Sequence, residues 1–263
     1  MFLENRKPKS PLIDRVKSGD GRSVSVGGTS MNTQFAAAAP DYRIDGFEPE
    51  SESVEWDFDA ITLNDDMYAV LAVHHTADGR DTYLLCYDKA AVWENAPGTA
   101  EYVAVHIARD LIGRTFTINA ERLPTEPLAL NWLLSEGCPT DAIKPDQFPG
   151  PRPADTLTSR LQDQLRYSPE GRYTLLYHHT HNPGTFRDGI EVTVLMRDNH
   201  PDAAERPCRV FLEKVAPSFE SYTVREGAFP TPEAADEWLM NRESPLPLAP
   251  EPPCQSGTDS RIG

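Results

Sequence analysis

The feature that most constrains this chain is a pattern that occurs twice. An apolar run ending in His-His-Thr appears in YAVLAVHHT (68–76) and again in YTLLYHHTH (173–181). Identical residues also recur at a spacing of 106, namely Thr117 and Thr223, Pro124 and Pro230, Thr125 and Thr231, Trp132 and Trp238, and Leu133 and Leu239. Such self-similarity indicates a duplicated structural unit.

Each copy contains four strand-like runs followed by one helix. The runs are at 67–75, 82–88, 101–108 and 114–120 in the first copy, and at 171–180, 190–198, 208–215 and 220–226 in the second. Thr125 and Thr231 are each followed by a proline within two residues, which is typical of a helix start. The predicted fold is therefore α+β, with two tandem β-β-β-β-α repeats forming an intramolecular pseudo-dimer. Trp132 and Trp238 are predicted core anchors of the two helices.

Composition sets the predicted domain boundaries. Residues 1–60 are basic and then acidic, with little apolar periodicity, and are predicted to be disordered. Met31 is a possible alternative start within them. The remaining ranges are repeat 1 at 61–138, a proline-rich linker at 139–154, a short helix plus repeat 2 at 155–243, and a disordered proline-rich tail at 244–263.

The charge is strongly asymmetric. Residues 1–30 carry a net charge of +3, which leaves −19 on residues 31–263, against −16 for the whole chain. A surface this acidic repels phosphate backbones and membranes and attracts basic partners. The sequence contains no secretory signal and no apolar stretch long enough to cross a bilayer. Its four cysteines lack zinc-like spacing, so we predict a reduced, cytoplasmic protein with no membrane partner.

Histidines are the only candidate metal ligands. In an extended strand His179 and His181 point to the same side, and His75 of the other copy would be a third ligand if the repeats brought it close. The alternative is that these histidines only mark the polar ends of duplicated strands. This alternative is favoured, so no cofactor is predicted apart from the divalent metal that the three histidines would bind.

In element order, the tandem units resemble the PUR-repeat and Whirly binders of single-stranded nucleic acid. That resemblance implies aromatic contacts on exposed sheet faces, and the strand aromatics that would serve are Tyr83, Tyr87, Tyr102, Phe116 and Tyr222. No sequence motif of either family is present.

Three functions follow from these features. The leading one is a non-enzymatic acidic interaction or regulatory protein that binds a basic protein partner, with nucleic-acid mimicry as a sharper version. Binding of single-stranded nucleic acid on the sheet faces and a histidine-metal enzyme are the alternatives. The sequence contains no phosphate loop, nucleophile elbow or zinc-protease motif, which disfavours the enzyme. It leaves the oligomeric state open.

Overall fold

The computed structural model describes residues 39–93, 100–181 and 189–249. The predicted disorder of 1–38 and 250–263 lies outside these ranges, as do the alternative start at Met31 and the cysteine at position 254.

Apart from the short helix α2 of repeat 1, both repeats have the same order of elements, in which a short strand and a helix precede the four strands and final helix that the sequence predicts. Repeat 1 comprises β1 (Glu48–Pro49), α1 (Glu52–Thr62), β2 (Tyr68–His75), β3 (Asp81–Asp88), α2 (Lys89–Trp93), β4 (Tyr102–Asp110), β5 (Thr115–Leu123) and α3 (Glu126–Ser135). Repeat 2 comprises β6 (Arg152–Pro153), α4 (Thr156–Arg166), β7 (Tyr173–His181), β8 (Ile190–Asp198), β9 (Cys208–Val215), β10 (Ser221–Phe229) and α5 (Pro232–Asn241). The α+β class and the tandem duplication are confirmed.

Each repeat builds one five-stranded sheet with the same topology. The orders are β1-β5-β4-β3-β2 and β6-β10-β9-β8-β7, and only the short first strand of each pairs in parallel. The strands β2 and β7 also share an irregularity, because Leu71 and Leu176 each interrupt the pairing with the next strand at equivalent positions. The duplication therefore extends to strand register.

Most of helix α1 lies inside the range 1–60 that was predicted to be disordered. Its N-cap, Ser51, accepts a hydrogen bond from the backbone of Val54, as Asp155 does from Thr158 at the start of α4. The sequence ESVEWDFDAIT is too acidic to signal a helix, yet Val54, Phe58 and Ile61 pack on the first sheet. Tertiary contact stabilises a segment whose composition resembles a disordered one.

The linker and the start of the tail are ordered as well. In the linker, Ile143 and Phe148 are buried in a core of repeat 1. In the tail, the backbone of Ala228 donates a hydrogen bond to Pro247, and Leu246 lies against Gly227, where an added Cβ would stand 2.5 Å from its Cδ1. Apolar contacts thus fix two proline-rich segments that were predicted to be irregular or disordered.

The helices and sheets stack in layers, and both faces of each sheet are covered. Helix α1 covers one face of the first sheet and α3 the other, while α4 and α5 cover the two faces of the second sheet. Leu128 of α3 is buried together with Leu161 and Leu165 of α4, so these two helices form one layer between the sheets. The repeats therefore contact each other through α3 and α4.

This junction joins unlike surfaces. Helix α3 ends repeat 1 and α4 begins repeat 2, so the repeats follow each other head to tail. Arg166 of α4 contacts both carboxylate oxygens of Glu126 of α3 through Nη2, at 3.0 and 3.3 Å. Asn131 of α3 donates hydrogen bonds from Nδ2 to the carbonyl oxygens of Arg166 and Ser168, at 3.0 and 2.9 Å. The last carbonyl groups of α4 are thereby satisfied by the neighbouring repeat.

We expect Asn131→Ala to destabilise the protein by about 1–3 kcal/mol, because it leaves two carbonyl groups at the junction without their donor. The free energy of unfolding from urea titration measures the effect. Glu237→Ala is the matched control, since Glu237 holds the equivalent position in α5 and is exposed; there we expect a change within about 0.5 kcal/mol. Equal destabilisation of both variants would contradict the assigned role of Asn131.

Candidate functional site

The predicted histidine ligands lie on two different sheets. In β2, Nδ1 of His75 lies 2.9 Å from the hydroxyl of Thr82, and burial lowers its pKa. His179 and His181 lie on β7 of the second sheet. Within the described ranges, no group of three or more His, Cys, Asp or Glu side chains is placed to hold a metal ion.

Strand register also shows which residues of the repeated His-His-Thr occupy equivalent positions in the two copies. Tyr68 opens β2 opposite Asp88, and Tyr173 opens β7 opposite Asp198. Counted from these pairs, His179 and not His178 is equivalent to His74. The His-His-Thr match in the sequence is therefore displaced by one residue from the structural alignment of the two strands. Only the position of His74 and His179 carries a histidine in both copies.

His106 is the histidine with the most defined surroundings. Its Nε2 lies 3.0 Å from Asp81 and its Nδ1 lies 3.3 Å from Glu136, while Tyr83 stacks on the ring at a centroid distance of 4.6 Å. Because both ring nitrogens are bonded to carboxylates, this imidazole joins β3, β4 and α3 and has no nitrogen left for a ligand.

The predicted sheet-face aromatics do not form an open platform. Tyr83 and Phe116 are buried in the two cores of repeat 1. Tyr87, Tyr102 and Tyr222 are half-buried, and electrostatic interactions link all three to Glu213 of repeat 2. The premise of exposed sheet faces is therefore wrong, but three of the five residues lie near the repeat junction.

The remaining predicted residues are structural. Trp132 and Trp238 pack at the margins of their cores and stay half-buried, whereas Leu133 beside the first is fully buried. Cys86 and Cys138 are buried free thiols, and burial raises the pKa of each to about 12. Thiols that stay protonated at neutral pH are poor nucleophiles.

The two repeats differ most where the first helix meets the sheet. In repeat 1 this contact is apolar: the rings of Phe58 of α1 and Phe116 of β5 meet edge to face with centroids 5.5 Å apart. Ile107 of β4 is fully buried in the same core. Three apolar side chains therefore close this end of the repeat 1 core.

Repeat 2 has polar residues at the three equivalent positions. Gln162 follows the N-cap of its helix by seven residues, as Phe58 does in repeat 1. Strand register places Tyr222 and Glu213 at the positions of Phe116 and Ile107. The Tyr222 hydroxyl donates a hydrogen bond to Oε1 of Gln162. The two copies therefore differ here, with a polar group in repeat 2 at the positions where repeat 1 has an apolar contact.

A cavity of about 340 Å³ opens beside this polar group. Its walls come from both repeats and from the linker: Tyr102 and Glu126 from repeat 1, Glu213 and Tyr222 from repeat 2, and residues 145–153 between them. We call it the junction cavity. It combines a concave surface with buried ionisable groups, which is the usual character of a binding or active site.

The electrostatics of the junction cavity centre on Glu213. Burial, and after it the carboxyl groups of Glu126 and Glu101, raise the pKa of Glu213 to about 8. Burial also raises the pKa of Glu126, with Arg166 opposing the shift. Among the residues that the structure describes, none forms a hydrogen bond or ion pair with the Glu213 carboxyl group. Its carboxyl group is therefore largely protonated at neutral pH and ionises when a cation approaches.

Sequence reasoning missed Glu213, although a signal was present. The segment CRVFLEKV aligns with YVAVHIAR at the 106-residue spacing, which places Glu213 against Ile107. A glutamate at a core position of one copy alone marks a site where the copies have diverged. The comparison of the two copies for differences, as well as for identities, would have found it.

We expect Glu213→Gln to stabilise the protein increasingly as the pH rises from about 4.5 to about 8. Below this window the carboxyl is protonated in both the folded and unfolded states. Within it the unfolded chain loses the proton that the folded state retains, so the wild type loses stability with rising pH. The glutamine variant lacks this effect, which amounts to on the order of a few kcal/mol above the window.

Urea titrations at pH 5, 6.5 and 8.5 measure the difference between variant and wild type. Glu121→Gln is the control, because Glu121 is exposed on β5 and the same substitution there should leave the pH profile unchanged. A difference between Glu213→Gln and wild type that does not grow with pH would contradict the raised pKa.

Comparisons with known proteins add no family to this picture. No protein-family model, curated protein or solved structure matches the chain. None of the helices in the described ranges is both long and apolar enough to cross a membrane. The features that bear on function are the junction cavity and the net charge of the chain.

Proposed function

We propose that the chain is a non-enzymatic acidic interaction protein that engages a basic protein partner at the junction cavity. The observation that carries the proposal is Glu213, a carboxyl group without a cationic partner among the described residues, facing a cavity between two repeats. Glu213 is half-buried and lines the cavity, so a cation bound there would contact a carboxyl group that no cation of the described chain neutralises.

The charge of the chain supports the same proposal at longer range. A net charge of −16 attracts a basic partner and speeds the encounter. Helix α1 adds a local surface, because its acidic residues surround Trp56, whose side chain is 69% exposed. Exposed aromatic side chains are enriched at protein interfaces. Helix α1 and the junction cavity are thus the two parts of the described chain that best suit a basic partner.

The alternatives have less support. Nucleic-acid mimicry rests on net charge alone. Binding of single-stranded nucleic acid needs accessible stacking rings, and Tyr83 and Phe116 are buried. A histidine-metal enzyme needs converging ligands, which the described residues do not provide.

We expect a rhodamine-labelled peptide of alternating lysine and alanine to bind the full chain and to weaken as salt rises from 0.05 to 0.5 M. Fluorescence anisotropy measures the affinity. Glu213→Gln should weaken binding about tenfold, because a buried charge-assisted contact is worth about 1.5–3 kcal/mol, whereas Glu121→Gln should change it little.

A neutral peptide of alternating glutamine and alanine serves as the ligand control. Equal binding of both peptides would exclude a charge-directed partner. Equal weakening by Glu213→Gln and Glu121→Gln would mean that total charge, and not the junction cavity, determines binding.

A further inference from the structure

We propose that the junction cavity is a binding site for one alkylammonium group, either the side chain of a partner's lysine or a free amine, with Glu213 as its counter-ion. This inference names a ligand class for the site of the proposed function. It rests on the proposed function only where the ammonium group belongs to a lysine of a partner protein. It assigns a ligand class to the cavity from its walls, its unpaired carboxyl group and its size.

One part of the cavity wall is apolar and suits a methylene chain. It is formed by Leu71, Pro145, Phe148, Pro149, Pro151 and Pro153. The proline rings restrict the backbone of this wall, so little conformational entropy is lost when a ligand binds. A volume of about 340 Å³ has room for a four-carbon stem, although it is at the lower end for drug-sized ligands.

The opposite part is polar and suits a single cationic head. Arg166 already neutralises Glu126, at 3.0 Å, and contacts Asp163, at 2.7 Å. Two carboxyl groups of the cavity wall lack such a partner in the described ranges, the half-buried Glu213 and the exposed Asp146. Tyr102 and Tyr222 line the same space, and tyrosine faces attract organic cations.

Other ligand classes fit less well. An anion would meet four acidic side chains, namely Glu126, Asp146, Asp163 and Glu213, against the two cations Arg152 and Arg166. A divalent metal needs several oxygen ligands, and the described residues offer no such group. A guanidinium prefers a bidentate carboxylate in a planar arrangement, which gives it no advantage over an ammonium at Glu213, the half-buried carboxyl group of this wall that has no partner among the described residues.

Binding of an ammonium should release a proton from Glu213. The groups that act on this carboxyl are Glu126 of α3, Glu101 before β4, Tyr87 of β3, Tyr102 of β4 and Tyr222 of β10. None of them is a cation. Since the pKa of Glu213 is about 8, the ligand has to displace the proton at lower pH, while an alkylammonium stays charged throughout.

The experiment is an NMR titration of the ¹⁵N-labelled full chain with n-butylamine and with Nα-acetyl-lysine methylamide. Nα-acetyl-norleucine methylamide is the neutral control and Nα-acetyl-arginine methylamide the guanidinium control. We expect both ammonium ligands to shift the same amide signals with affinities in about the millimolar range. Affinity should rise about tenfold or more between pH 6 and pH 8, and Glu213→Gln should remove most of it while Glu121→Gln retains it.

The results separate this inference from the proposed function. Norleucine binding as tightly as lysine, arginine binding better than lysine, or a flat pH profile in the wild type would overturn the ammonium site. The wild-type pH profile needs no variant, so a folding defect in Glu213→Gln cannot hide that result. Amine binding without binding of the basic peptide would retain the site and remove the protein partner. If the basic peptide binds wild type and Glu213→Gln equally well and the amines do not bind, the protein partner is retained and the ammonium site is excluded.

Discussion

The arrangement of this molecule depends on one buried arginine. Arg166 ends α4, its guanidinium contacts Glu126 of α3 and its backbone carbonyl accepts from Asn131. Loss of one partner of a buried ion pair typically costs about 3–5 kcal/mol, because the other charge stays buried without compensation. The pair fixes how α3 lies beside α4, and this in turn fixes the distance between the sheets. Linker residues 145–153 form one wall of the junction cavity beside this layer.

The head-to-tail junction uses a different surface of each repeat. In such a contact each repeat carries both surfaces but uses only one of them. The unused surfaces lie on α1, the counterpart of α4, and on α5, the counterpart of α3. Those surfaces lack the pairing residues of the junction, since Thr62 stands where Arg166 stands and Glu237 where Asn131 stands. Both end helices are also acidic, so that two chains brought end to end would repel each other. Polar end surfaces of this kind are what keep repeat proteins soluble.

Sequence periodicity predicted the eight long strands, the helices α3, α4 and α5 and the duplication, because each of these leaves a local pattern of apolar and turn residues. It failed for α1, whose helix depends on three side chains packing on a sheet, and for the proline-rich segments, whose order depends on Ile143, Phe148 and Leu246 finding distant partners. It also drew attention to the histidines, which the structure places on two different sheets. Glu213, which lines the junction cavity, lies in a strand whose sequence is ordinary.

Duplication explains how a glutamate can occupy that strand at all. In a lone repeat, a carboxyl group in place of Ile107 would open the core under α1. In repeat 2 the neighbouring repeat supplies Leu128 to the core, and Leu123 packs against it. Apolar packing that Glu213 cannot provide is thus supplied from outside the repeat, and the carboxyl group is left facing the junction cavity. Repeat 1 keeps its closed core and supplies the opposite wall with Tyr102 and Glu126. The two copies therefore contribute different residues to the cavity, which belongs to neither alone.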